Sequence, residues 1–169
     1  GYDFVENYFE VQNSTFDAAG SSVTVLGQMN ILLDGRYLAS TGSTTINNTL
    51  NVTSGTLTGS SGTIDVNSDV VLNGGTLISP SLMYVSGDWT KTAGVFTPGT
   101  GTINFDNATT KNITSGGSSF SNITHSGSGT LQLATDDLTV TSNFNNASGI
   151  FYLNSRGWIM TGATLTNAG

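Results

Sequence analysis

The sequence predicts an all-β fold, a single parallel β-solenoid (β-helix) with coils of about 20 residues, and three observations point to it. An apolar and glycine pattern recurs in phase along the chain. Charged residues are scarce. Thr, Ser, Asn and Gly stand where charges usually do, a mixture that suits β-strands joined by tight turns because Thr is β-branched and the others accept turn geometry.

The repeat comes first. Five segments align without internal gaps: Ile46–Leu57, Val66–Leu77, Val85–Phe96, Phe120–Leu131 and Val140–Phe151. Each reads apolar, three turn-like residues, usually apolar, four more, glycine, any residue, apolar. The glycine column holds Gly55, Gly75, Gly94, Gly129 and Gly149. With 22 glycines in 169 residues, five coincidences at one position have a chance probability on the order of 4 × 10⁻⁵ before discounting the choice of phase. The last column is Leu57, Leu77, Phe96, Leu131 and Phe151, and the fifth position is Leu50, Val70, Trp89 and Phe144, broken by Thr124.

Segment starts are separated by 20, 19, 35 and 20 residues. The gap of 35 fits two coils, the second a degenerate one near Ile103. Val25–Leu38 reads as a looser coil with one extra residue, and Trp158–Leu165 as an incomplete one. About seven or eight coils result, stacked at ~4.8 Å each. Each would carry three short strands in a right-handed path. The triplets NNT, NSD, SGD and TSN are expected to mark one corner, and the glycines another, where φ is positive. A β-sandwich also places turns every 8–12 residues or so, but constant phase over about a hundred residues favours the solenoid.

Composition narrows the function. The charged fraction is 9%, against ~25% for ordinary domains, and the net charge is −7. Arg36, Lys91, Lys111 and Arg156 are the only cations, so neither nucleic acid nor anionic lipid is an expected partner. No apolar run approaches the ~18 residues of a membrane span, so no membrane insertion is expected. Without cysteine there are no disulfide staples. The chain begins at Gly1 without a signal peptide and reads as a processed form or an excised segment.

The stretches VSGDWTKTAGVFTPGTGTINFDN and DLTVTSNFNNASGIFYL resemble the β-strand repeats of filamentous-haemagglutinin-type, adhesin-like surface proteins of bacteria and archaea. The resemblance covers roughly residues 40–165. It implies secretion, surface display and attachment or scaffolding, and it carries over no functional residues. Because such proteins are usually far longer, it also implies a stalk segment or a subunit that assembles.

The two ends stand out. Residues 1–20 depart from the repeat and hold Glu6, Glu10 and the aromatics Tyr2, Phe4, Tyr8, Phe9 and Phe16. They read as a cap or an inter-subunit contact segment, with 21–169 as the solenoid. At the other end WIMTGATLTNAG stays strand-like without a polar cap, which leaves unpaired backbone groups as a template for another strand. Tyr2, Phe4, Tyr8 and Phe9 on one side, with Trp158 and Leu165 on the other, are therefore the expected contacts of a head-to-tail homopolymer.

The remaining candidates are weighed against plainer readings. Sequons at Asn13, Asn47, Asn51, Asn107, Asn112, Asn122 and Asn146 are candidate glycosylation sites, although Asn and Thr richness alone accounts for most of them. Asp69 and Asp88 share a column, with Asp106 near it. No cofactor is expected: a Ca²⁺ ion is the one that column could admit, and solvated turn aspartates are the favoured account of it. Catalysis is not expected and no catalytic residue is assigned, since His125 lies in an expected turn and Asp136–Asp137 has no accompanying base. An ice-binding array would need threonines in register. Thr56 and Thr76 begin one, but Val95 and Ile150 interrupt it. The alternative to a structural role is a module that binds surface glycans through Tyr84, Trp89 or Trp158.

Overall fold

The computed structural model describes residues 1–162 and 164–168; of the expected solenoid span, Ala163 and Gly169 lie outside the described residues. The chain is a parallel β-solenoid. One sheet of nine strands takes one strand per coil, hence eight turns: Tyr2–Phe4, Val23–Val25, Thr44–Ile46, Thr63–Val66, Leu82–Val85, Thr102–Phe105, Asn122–His125, Asn143–Asn146 and Thr164–Asn167. Every neighbouring pair is parallel, and the register steps by 19 to 21 residues, as from Tyr2 to Val23, Ile64 to Met83 and Met83 to Ile103.

A second sheet of eleven strands begins at Tyr8–Gln12 and ends at Ile150–Tyr152. Its edge carries Thr15–Asp17, Arg36–Leu38 and Thr56–Thr58, which continue into the far halves of the long strands Val70–Ile78 and Trp89–Thr97. These form a third face in the N-terminal coils. In the C-terminal coils that face is a separate sheet of Ser119–Phe120, Leu138–Val140 and Trp158–Met160.

Alternation explains the burial. Residues two apart in a strand share a face, and the pattern buried, half-buried, buried recurs in Val23–Val25, Thr44–Ile46, Leu50–Val52 and Leu138–Val140. The inward residues stack into one core that includes Leu57, Leu77, Phe96, Leu131 and, partly buried, Phe151. The expected degenerate coil is present, with Ile103 paired to Met83 and to Ile123. The looser early coil is present too, its extra length taken up by Leu33 and Asp34 in left-handed conformations.

Three expectations need correction. First, the solenoid does not start after residue 20. Tyr2 pairs with Val23, Phe9 with Met29 and Phe16 with Tyr37, so residues 2–17 are the first coil. Its inward positions are aromatic and it lacks the glycine, which is why it departs from the repeat.

Second, the five glycines form two columns at different corners. Gly55, Gly75 and Gly94 stack on Gly35 between the second and third faces, whereas Gly149 stacks on Gly129 and Gly129 on Thr109, between the first and second. Val85 pairs with Phe105, while Phe120 pairs with Val140 on another sheet. The gap of 35 thus contains one coil plus two faces, and the twelve-residue pattern describes a corner–strand–corner passage wherever it falls. For the same reason TSN turns a different corner from NNT, NSD and SGD.

Third, positive φ is not the common reason for glycine. Only Gly94 (φ 73°) and Gly149 (φ 67°) of the five have it. What they share is close approach, since a Cβ at any of them would strike a backbone carbonyl of the coil below.

Two substitutions test this packing by urea denaturation. Leu77→Ala removes a fully buried side chain and should cost about 2–5 kcal/mol. Gly75→Ala drives a methyl against the Gly55 carbonyl and Val52 Cγ1 and should cost at least ~1 kcal/mol. A Gly75→Ala protein as stable as the parent would refute the close-approach account.

Candidate functional site

Side chains along the faces of the solenoid are largely taken up by coil-to-coil bonding; the end coils are different. In the first coil Phe4 stacks on Phe9 with centroids 4.1 Å apart, and Phe16 meets both edge-on at 5.7 and 5.2 Å. Phe16 in turn stacks on the buried Tyr37 at 5.6 Å, and Tyr2 sits edge-on to Phe16 at 5.3 Å. Tyr37 closes this cluster from below. Its hydroxyl bonds Thr44 Oγ1 at 2.8 Å, and burial pushes its pKa up to about 12.

In the last coils Phe144, Phe151 and Trp158 form a ring triad at 4.5, 4.9 and 5.7 Å. With Leu153, Leu165, Asn146 and Asn167 they line a hollow of about 180 Å³. Trp158 Nε1 is buried there without a partner. Of the expected contacts, Phe4 and Phe9 are half-buried while Tyr2 and Tyr8 are exposed; Trp158 is half-buried and Leu165 exposed.

Sequence reasoning missed a buried polar run leading to this hollow. His125 lies in a strand, fully buried, not in a turn. The alternation with Ile123 two residues earlier was the available signal. Asn146 Nδ2 donates to Asn167 Oδ1 at 2.8 Å, so Asn146 Oδ1 accepts from His125 Nδ1 at 2.7 Å. This fixes the imidazole proton on Nδ1 and leaves Nε2 a buried acceptor without a partner. Lys91 was also missed: it is buried, and its Nζ donates to Gly116 O at 3.3 Å.

The other candidates are dispersed. Asp69 Oδ1 accepts the Asp88 amide at 2.8 Å, and Asp88 Oδ1 accepts the Asn112 amide at 2.8 Å. The column therefore links coils through carboxylate-to-backbone bonds. Among the described residues no three His, Asp or Glu side chains are grouped to hold a metal ion. Asp136 Oδ2 takes the Gly116 amide at 2.9 Å and Asp137 Oδ1 the Gly157 amide at 2.6 Å, so the two point to different neighbours. Thr56 pairs with Thr76, and Val95 follows. Trp89 is buried, and Tyr84 points outward, half-buried, from the nine-stranded sheet.

Of the sequons, Asn107 and Asn146 are 1% and 3% exposed. Asn51 Nδ2 donates to Asn30, Asn112 Nδ2 to Asp88, and Asn122 Nδ2 to Thr100 and Gly101. Asn47 and Asn13 are exposed; Asn47 only accepts, from Asn67, and Asn13 adopts a left-handed turn.

These features define the class of the protein, a three-faced parallel β-solenoid with aromatic end coils. Comparison with protein-family models, curated proteins and solved structures finds no match to the chain.

Two measurements follow. Burial lowers the His125 pKa below the ordinary histidine value of about 6.5, the Asn146 bond opposing in part. The native state therefore binds fewer protons than the unfolded chain below about pH 6.5, and stability present above that pH is lost as pH falls toward the native value. The urea midpoint should drop between pH 7.5 and 5.5, and His125→Leu should abolish that drop; an unchanged pH dependence would contradict the buried-acceptor assignment. Asp65, raised by burial and then by Asp106, acts in the opposite sense and in the lower carboxylate range. In a glycosylating host, intact mass and peptide mapping should find glycans on the folded protein at Asn13 and Asn47 only. Occupancy at Asn107 or Asn146 would mean modification before folding.

Proposed function

We propose that the chain is an extracellular structural element, a filament subunit or stalk segment of a surface adhesin. The observation that carries this reading is one column of coil-to-coil pairing that runs unbroken through the nine-stranded sheet, with polar side chains spent on linking coils. Such a stack transmits length and stiffness, which is what a stalk or filament needs. Low charge and the adhesin-like repeat support display outside the cell. Binding of surface glycans is the weaker reading. Among the described residues Tyr84 is the only aromatic directed outward from the nine-stranded sheet, so a sugar on that face would find a single ring.

Antibody raised against the folded chain, applied to intact cells of the source, tests the proposal. Labelling that extends from the envelope is the expected result. Signal that needs permeabilised cells, or release of products from a polysaccharide panel by the purified protein, would overturn it.

A further inference from the structure

We infer that the solenoid bends at one place, the junction between its fifth and sixth coils, with the first face as hinge line and the third face as the seam that opens. The inference rests on the stalk reading only for its use, which is to let one part of a stalk swing against the other.

The fifth coil carries Leu82–Val85 and Trp89–Thr97, and the sixth carries Thr102–Phe105, Lys111–Thr114 and Ser119–Phe120. Their first faces are fully paired, from Leu82 with Thr102 to Val85 with Phe105. On the second face only Trp89 with Ile113 and Thr90 with Thr114 are paired. On the third face no strand of the sixth coil pairs with Val95–Thr97. Among the described residues, every other junction between the first eight coils is paired on all three faces.

The course of the sixth coil explains the gap. It spends residues on the enlarged corner after Phe105 and turns the next corner on Gly116 and Gly117, both left-handed (φ 54° and 73°). Its third strand is therefore only Ser119–Phe120, which starts a separate sheet with Leu138–Val140. The edge of the fifth coil below is left open. In the coil beneath it, Thr76 N donates down to Gly55 O and Ile78 O accepts from Gly59 N, so Leu77 between them bonds upward to the fifth coil. Phe96 is the counterpart of Leu77, and its N–H and C=O aim at the sixth coil, where no strand is paired to receive them.

Exposure records the same break. Thr56, Thr58, Thr76 and Ile78 are half-buried, but their counterparts Val95 and Thr97 are exposed. Gly94 is half-buried where Gly55 and Gly75 are buried.

Side chains close the seam instead. Phe120 meets both Trp89 and Phe96 at 5.3 Å, and Lys91 Nζ donates to Gly116 O at 3.3 Å. Trp89 Nε1 is buried at this junction without a partner, so opening brings water to a donor that the closed state leaves unsatisfied. Bending about the first face breaks the two second-face pairs and the ring contacts while the first-face ladder stays whole. No other junction opens at so small a loss.

Native-state amide exchange, read residue by residue, tests the hinge on the unaltered protein. Amides bonded across this junction on the second face, in Trp89–Thr90 and Ile113–Thr114, should exchange about tenfold faster than those of Val70–Leu72 and Thr130–Leu133 on the same face. The Thr102 amide, which donates to Ser81 O at 3.0 Å on the first face, should stay protected. The chain has no cysteine, so a staple gives a second arm. Thr90 and Thr114 are neighbours in register, ~4.8 Å apart and within disulfide reach. Oxidised Thr90→Cys/Thr114→Cys protein should lose the fast exchange. Oxidised Thr56→Cys/Thr76→Cys, which closes a loop of similar length across a fully paired junction, should keep it. Equal protection at all these junctions, a Thr102 amide as labile as Ile113, or two staples with the same effect would overturn the hinge. Surface labelling of intact cells is read independently, so a rigid junction with a labelled surface leaves the stalk-segment reading standing.

Discussion

Each coil must lay its backbone on the coil below within hydrogen-bonding distance, and the rest of the structure follows from that one constraint. Parallel pairing at ~4.8 Å puts every side chain directly over a counterpart one coil away. Like therefore stacks on like, and only residues that tolerate their own company can fill a column. Two carboxylates at that spacing repel by about 1 kcal/mol in water and roughly 3–4 kcal/mol at an effective dielectric of 20. An amide carries both donor and acceptor and bonds to its own copy. The asparagine pairs Asn30–Asn51, Asn47–Asn67, Asn122–Asn143 and Asn146–Asn167 do so at 2.8 to 3.1 Å. The low charge and abundant asparagine of the sequence are thus a consequence of stacking geometry. Where aspartates do stack, as Asp69 under Asp88, the carboxylate turns to take the backbone N–H of the next coil.

The same constraint explains the glycines and the change of phase at mid-chain. At a corner the incoming strand passes over a carbonyl, and a side chain there would push the coils apart. Between Phe105 and Lys111 the first corner is enlarged, and Trp89 pairs with Ile113, a longer step than the 19 to 21 residues of the first sheet. Asn107 is buried inside this corner. Its Nδ2 binds the carbonyls of Thr109 at 2.7 Å and Thr130 at 3.2 Å, replacing the backbone bonds that the wider turn cannot make, while Oδ1 is left without a partner. Beyond it the third face separates from the second as its own sheet.

The fold class, the coil length and most core positions were legible in the sequence because stacking makes the inward columns repeat, and a repeat is visible without coordinates. The phase was not. Gly94 and Gly129 belong to different corners, yet both follow an apolar residue, a turn and a short strand, and a linear pattern carries no corner labels. Residues 1–20 were misassigned for a related reason. Phe4, Val5, Tyr8 and Phe9 fall on one face of a helix, but in strands Phe4 and Phe9 turn inward while Val5 and Tyr8 turn out, and only pairing with the second coil decides between them. Of the aromatic clusters in the early and late coils, the residue types were readable and the ring geometry was not. The His125–Asn146–Asn167 run was hidden because polar residues in an inward column look like turn residues.

Aromatic rings cluster in the early and the late coils. Each ring buries a large area and holds its neighbours in a fixed geometry. Tyr2, Phe4, Phe9 and Phe16 tie the first coil to Tyr37 beneath it, and Phe144, Phe151 and Trp158 tie the last coils together. Ring-on-ring contact thus fixes the spacing of these coils by shape, where the backbone ladder alone fixes only their register.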